Sequence, residues 1–128
     1  MRKILIVEDT QAIREELFDI FTLEGYLVFE AENGKKGLKI ALKENPNLII
    51  SDIRMPEMNG FEMFKKLKKN DKTKAIPLIF LSAKGEKEDI KTGMNHETQD
   101  YLTKPINVKD LLNAVEKKIQ KKLIIDEK

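Results

Sequence analysis

Four short apolar runs, each stopped by a charged or hydroxyl residue, constrain this chain more than any other feature. Residues 4–7 stop at Glu8-Asp9, Leu48-Ile49-Ile50-Ser51 at Asp52, residues 78–81 at Ser82, and Tyr101-Leu102-Thr103 at Lys104. Runs of this length suit strands buried on both faces, and segments of helical period separate them. Ile13, Leu17, Ile20 and Phe21 share one helix face, which Gly25 closes, and residues 26–31 form a further strand. Asn33-Gly34 turns into a helix carrying Leu38, Ala41 and Leu42 that must finish before Pro46. Asn59-Gly60 reads as a loop residue and a flexible hinge ahead of an amphipathic helix over residues 61–67. A weakly apolar helix follows over residues 86–95, with Ile90 and Met94 to bury, and a last one starts at Asn107 or Val108 and carries Leu111, Leu112, Val115 and Ile119.

Five strands alternating with five helices through short connections predict an α/β fold, a doubly wound parallel sheet covered on both faces. In such sheets, ligands bind beyond the carboxyl ends of the strands, where the strand order reverses. The residues that stop the apolar runs, Glu8-Asp9, Asp52, Ser82 and Lys104, therefore belong to one rim. Three carboxylates repel one another, and a hard divalent cation such as magnesium keeps them ionised together. Lys104 can reach an anion at that rim, and the Ser82 hydroxyl can hydrogen-bond one of its oxygens. The set suits phosphoryl transfer, with Asp52 as nucleophile. Each residue alone also has a plain reading. Asp52, Glu8-Asp9 and Ser82 could cap turns or helices, Lys104 could be a solvated lysine, and Tyr101 could simply pack. Their combination favours the site.

With no cysteine in 128 residues, disulfides, thiolate metal sites and thiol nucleophiles are excluded. The early charges of Glu8-Asp9 do not suit a signal peptide, and no apolar run reaches membrane length, so a cytoplasmic protein is expected. The 24 basic and 22 acidic residues nearly cancel, leaving no whole-molecule pull towards nucleic acid. The lysine clusters at 65–69 and 117–122 read as solvated helix faces.

Ile-Leu-Ile-Val-Glu-Asp at residues 4–9, Asp-Ile-Arg-Met-Pro-Glu-Met-Asn-Gly at 52–60, Leu-Ser-Ala at 81–83 and Asp-Tyr-Leu-Thr-Lys-Pro at 100–105 together resemble the receiver domains of bacterial two-component response regulators. The resemblance covers residues 2–122. It implies a flavodoxin-like sheet of order 2-1-3-4-5, a receiver domain over residues 1–122, and a tail or the start of a linker over 123–128. It further implies that Asp52 is the phospho-acceptor, that Glu8, Asp9, Asp52 and the main-chain carbonyl of Arg54 hold Mg2+, and that Lys104 partners the phosphate across a cis bond to Pro105. Ser82 and Tyr101 are implied as a switch pair acting on the surface of the helix before strand five, strand five and the last helix. The implied partners are a histidine kinase or phosphotransfer protein and a downstream target or fused output domain, with no membrane, no direct nucleic-acid contact, and a phosphorylation-dependent homodimer as an option. Such a protein is a switch and not a turnover enzyme. Two rival functions are an aspartyl-phosphate hydrolase of the haloacid-dehalogenase type and a degenerate receiver that only binds partners. The hydrolase class usually carries a second aspartate two residues after the nucleophile, where this chain has Arg54. His96-Glu97-Thr98-Gln99 departs from the small Gly-Ala stretch usual in the family, and Glu8 stands where aspartate is commoner. Arg54 and Lys84, each two residues past a strand end, are expected beside the site mouth.

Overall fold

A computed structural model describes residues 1–82 and 100–127. In chain order they form β1 (Lys3–Val7), α1 (Gln11–Leu23), β2 (Leu27–Ala31), α2 (Gly34–Glu44), β3 (Leu48–Asp52), α3 (Gly60–Lys68), β4 (Leu78–Ser82), β5 (Asp100–Thr103) and α4 (Val108–Glu127). The strands make one sheet of order β2-β1-β3-β4-β5, and all four pairings are parallel. The expected fold class and strand order are both present. The helix expected over residues 86–95, and with it His96 to Gln99, lies outside the described residues. The last helix continues past Lys122 to Glu127.

The side-chain alternation of a strand explains why the apolar runs are continuous. Leu5, Val7, Ile49, Leu78 and Phe80 point to the face covered by α2 and α3, where they meet Ala41, Met63, Phe64 and Leu67. Ile4, Ile6, Leu48, Ile50, Ile79 and Leu81 point to the other face and meet Leu17 and Phe21 of α1 and Leu111, Val115 and Ile119 of α4. Every residue of β3 and β4 is buried. Burying one such side chain contributes about 1.5–3 kcal/mol, so these two layers supply most of the drive to fold.

Helix ends are set by local chemistry. Asn33 caps α2 by accepting from the Lys36 amide at 2.9 Å, and Asn45 ends that helix in the left-handed region at φ 48°. At α3, Asn59 and Glu62 form a reciprocal capping box. Gly60 is not the hinge its neighbours suggested. A Cβ there would stand 2.3 Å from the main-chain oxygen of Asp52, and the Gly60 amide donates to the Ile53 carbonyl at 2.8 Å. The glycine lets the start of α3 press against the end of β3, which brings the helix directly under the acidic residue.

Gly60→Ala should therefore destabilise the protein by about 1–3 kcal/mol, because the obstacle is backbone and the strand end must move. At Gly37 a Cβ would meet the Met63 sulfur and a Val7 methyl at 2.9 Å, both at the ends of side chains. Urea midpoints should accordingly rank wild type, Gly37→Ala and Gly60→Ala in descending order.

Candidate functional site

The carboxyl ends of β1, β3 and β4 and the residue after β5 meet on one rim. Glu8 follows β1 and is wholly buried, Asp52 ends β3 and is 7% exposed, and Ser82 ends β4 at 2%. Lys104 is tied to the end of β4 by its amide, which donates to the Ser82 carbonyl at 2.8 Å, and its bond to Pro105 is cis. Its side chain turns back across the rim. The ammonium lies 2.8 Å from Glu8 Oε1 and 3.3 Å from Asp52 Oδ2. Asp9, beside Glu8, is exposed, and one carboxylate oxygen from each of Glu8, Asp9 and Asp52 lies within 4.8 Å of the others.

Glu8 is held on every side. Its amide donates to the Ala31 carbonyl at 3.0 Å, its Oε2 accepts from the Thr10 amide at 3.1 Å, and its carbonyl accepts from Nη1 of Arg14 at 2.8 Å. Its Oε1 has only the ion pair with Lys104, outside hydrogen-bond geometry, and is one of two buried side-chain polar atoms without a hydrogen bond among the described residues. A buried carboxylate oxygen in that position, beside two further acids, fits a hard cation that takes oxygen ligands. Arg14 and Thr10 did not stand out in the sequence. An arginine about one turn into a helix carries no signal for a carbonyl six residues earlier.

Burial pushes Asp52 up to about 7, helped by the Glu8 carboxylate beside it, while Lys104 offsets part of the rise. Burial acts to lower Lys104, but the carboxylates of Glu8 and Asp52 beside it outweigh burial, so the ammonium is held above its ordinary value. Lys104 is therefore cationic throughout the range in which Asp52 titrates. Asp52 Oδ1 accepts from the Ile53 amide at 2.8 Å, leaving Oδ2 directed towards Lys104.

Tyr101 lies one strand further along. Its ring stacks on Phe80 at 5.6 Å between centroids, its hydroxyl is the second buried atom without a hydrogen bond, and burial raises its pKa. Arg54 is exposed on the loop after β3, and Lys84 lies outside the described residues.

The family model of the response regulator receiver domain matches residues 4–116. This chain belongs to that family. It is 36% identical to protein PilH of Pseudomonas aeruginosa over 115 residues, which is 90% of this chain and 95% of that protein. Identity to sporulation initiation phosphotransferase F of Bacillus subtilis is also 36%, over 90% of this chain and 91% of that one. Among solved structures, the receiver domain of a signal transduction histidine kinase from Syntrophus aciditrophicus superposes with a TM-score of 0.85 at 31% identity, covering 94% of this chain and 91% of that domain. Other curated relatives are longer, and the chain spans about half of their length. The protein is a phosphoryl-accepting receiver of a two-component system, and these relatives do not favour the hydrolase or the non-phosphorylated binding module.

The raised pKa of Asp52 has a consequence for stability. A carboxyl that holds its proton more tightly when folded than when unfolded loses stability on ionising, as pH rises from about 4 through about 7. Asp52→Asn removes that cost. Without magnesium, the variant should be more stable than wild type by about 1–3 kcal/mol at pH 8, with most of the difference gone at pH 4, as measured by paired urea titrations at the two pH values.

Proposed function

We propose that Asp52 is the phospho-acceptor of this receiver, with Lys104 as its phosphate partner, and that Glu8, Asp9, Asp52 and the main-chain carbonyl of Arg54 hold magnesium. The observation that carries this reading is the Lys104 ammonium set between Glu8 and Asp52 at the mouth of a three-carboxylate pocket. Asp52 Oδ2 attacks the phosphorus of a phosphohistidine or of acetyl phosphate. A P–O bond to Asp52 forms as the P–N or P–O bond to the donor breaks, and the leaving imidazole or acetate departs with the bonding pair. Lys104 needs to move only from carboxylate oxygens to phosphoryl oxygens, and its raised pKa keeps it charged while it does so. When bound, magnesium supplies neutralisation of the charge on the transferring group.

The donor is a histidine kinase or a phosphotransfer protein, the reading to which the relatives lend themselves most directly. The protein works in the cytoplasm as a switch without turnover, through protein partners and not through nucleic acid or membrane, and phosphorylation-dependent pairing of two copies is one form its output can take. Incubation with acetyl phosphate and magnesium, followed by intact mass, should give one phosphoryl adduct on wild type and none on Asp52→Asn. Lys104→Ala should slow loading by about tenfold or more. An adduct that persists on Asp52→Asn would move the acceptor elsewhere.

Ser82 and Tyr101 couple the acceptor to the outer surface. Ser82 ends the strand beside Asp52, and the buried Tyr101 hydroxyl lacks a hydrogen bond, so little holds the ring inward beyond its stack on Phe80. When the Ser82 hydroxyl turns to the phosphoryl group it vacates space for the ring. Ser82→Ala should still accept phosphoryl, yet the change in amide exchange around Tyr101 on phosphorylation should be much smaller than in wild type. Equal changes in the two proteins would sink this route.

A further inference from the structure

The loop between β3 and α3 carries the main-chain carbonyl of Arg54, and it is fastened at two places. At its base the Ile53 amide donates to Asp52 Oδ1 and the Gly60 amide to the Ile53 carbonyl, each at 2.8 Å. Its crest is fastened to the start of α2, a different part of the chain. Asn33, buried at 6% exposure, donates Nδ2 to Glu57 Oε2 at 3.1 Å while its Oδ1 caps α2 through the Lys36 amide. Beside it, the Gly34 amide donates to the Met58 carbonyl at 3.1 Å, and a Cβ on Gly34 would stand 2.4 Å from that oxygen.

Glu57 holds this contact in a left-handed conformation, φ 67°. For a residue with a side chain that costs on the order of 1 kcal/mol, and it persists only where the surroundings over-determine it. Asn45, the other such residue among those described, ends a helix with an αL cap, which gives its conformation a local reason. Glu57 sits in no helix. It is the centre of a tight turn in which the Met58 amide donates to the Pro56 carbonyl at 2.8 Å, and its carboxylate accepts from Asn33 at the crest of that turn.

On the reading above, in which the Arg54 carbonyl ligates magnesium, we propose that Asn33 and Glu57 form a clasp that sets the position of this loop over the carboxylate pocket. Both are positioning residues for metal binding and, through it, for phosphoryl uptake. A main-chain oxygen can be aimed only by the path of its own backbone, and only Met55 and Pro56 separate Arg54 from the clasped Glu57. The alternative is that Asn33 serves only to cap α2. Three substitutions separate the two. Asn33→Ser keeps a capping oxygen but is too short to reach Glu57. Glu57→Gly removes the carboxylate and relieves the backbone strain, so it should not unfold the protein. Glu57→Gln keeps the acceptor oxygen on the same stem and removes the charge.

Magnesium titration of the full chain by calorimetry, with amide exchange over residues 54–58, tests the clasp. Asn33→Ser and Glu57→Gly should each bind magnesium about tenfold more weakly than wild type, with faster exchange in the loop, and Glu57→Gln should stay near wild type. Loading by acetyl phosphate should fall at limiting magnesium and recover at saturating magnesium, because the acceptor itself is intact. Wild-type affinity in both Asn33→Ser and Glu57→Gly would reduce the contact to helix capping. Equal weakening in Glu57→Gln and Glu57→Gly would replace the clasp with a simple effect of charge. If wild type takes up phosphoryl but binds no magnesium, the metal-ligand reading fails and the clasp's proposed role fails with it.

Discussion

A lysine ammonium between two buried carboxylates is the interaction on which the rest of this molecule depends. Glu8 is sealed from solvent and Asp52 nearly so, and ionised carboxylates in such places are costly without a partner. Lys104 supplies that partner from a stretch of chain about a hundred residues away from Glu8, which it reaches only because β5 pairs in register beside β4 and the Lys104 amide is fastened to Ser82. The sheet can thus be regarded as a frame that brings one cation to two anions.

Much of this was legible in the sequence, and the reason is physical. A strand buried on both faces must be apolar along its whole length, so the point at which the apolar run stops marks the end of the strand, and Asp52 and Ser82 could be placed at the rim without coordinates. Asn33 and Asn59 read as turn residues and prove to be helix caps, because capping depends on neighbours three residues away. Gly60 was misleading. Glycine permits both flexibility and close approach, and only the position of the Asp52 carbonyl decides between them. The grip of Arg14 on Glu8 and the bridge from Asn33 to Glu57 were invisible, since each joins residues whose spacing corresponds to no local period.

The two faces of the sheet are unequal in what they connect. The α1 and α4 side is an aliphatic layer in which Phe21 and Tyr26 form the one aromatic pair among the described residues. The other side carries a chain of rings: Phe61 and Phe64 of α3 stand edge-on to Phe80 of β4, and Phe80 stacks on Tyr101 of β5. Because Gly60 presses the start of α3 against the Asp52 carbonyl, the helix that abuts the end of β3 is also the one whose rings meet Phe80. A shift at the strand end therefore has a packed path to Tyr101 that bypasses the solvent.

That aromatic chain also determines how the molecule can be watched. The protein has no tryptophan and two tyrosines, and these lie on opposite faces of the sheet in different ring environments, Tyr26 edge-on to Phe21 and Tyr101 stacked face to face on Phe80. Near-ultraviolet dichroism and tyrosine emission consequently divide between a phenol packed on Phe21 of α1 and one stacked on Phe80 of β4. Any optical difference between two states of the protein that leaves the Tyr26 environment intact belongs to Tyr101, so the ring stacked on β4 reports on that face of the sheet without an introduced label.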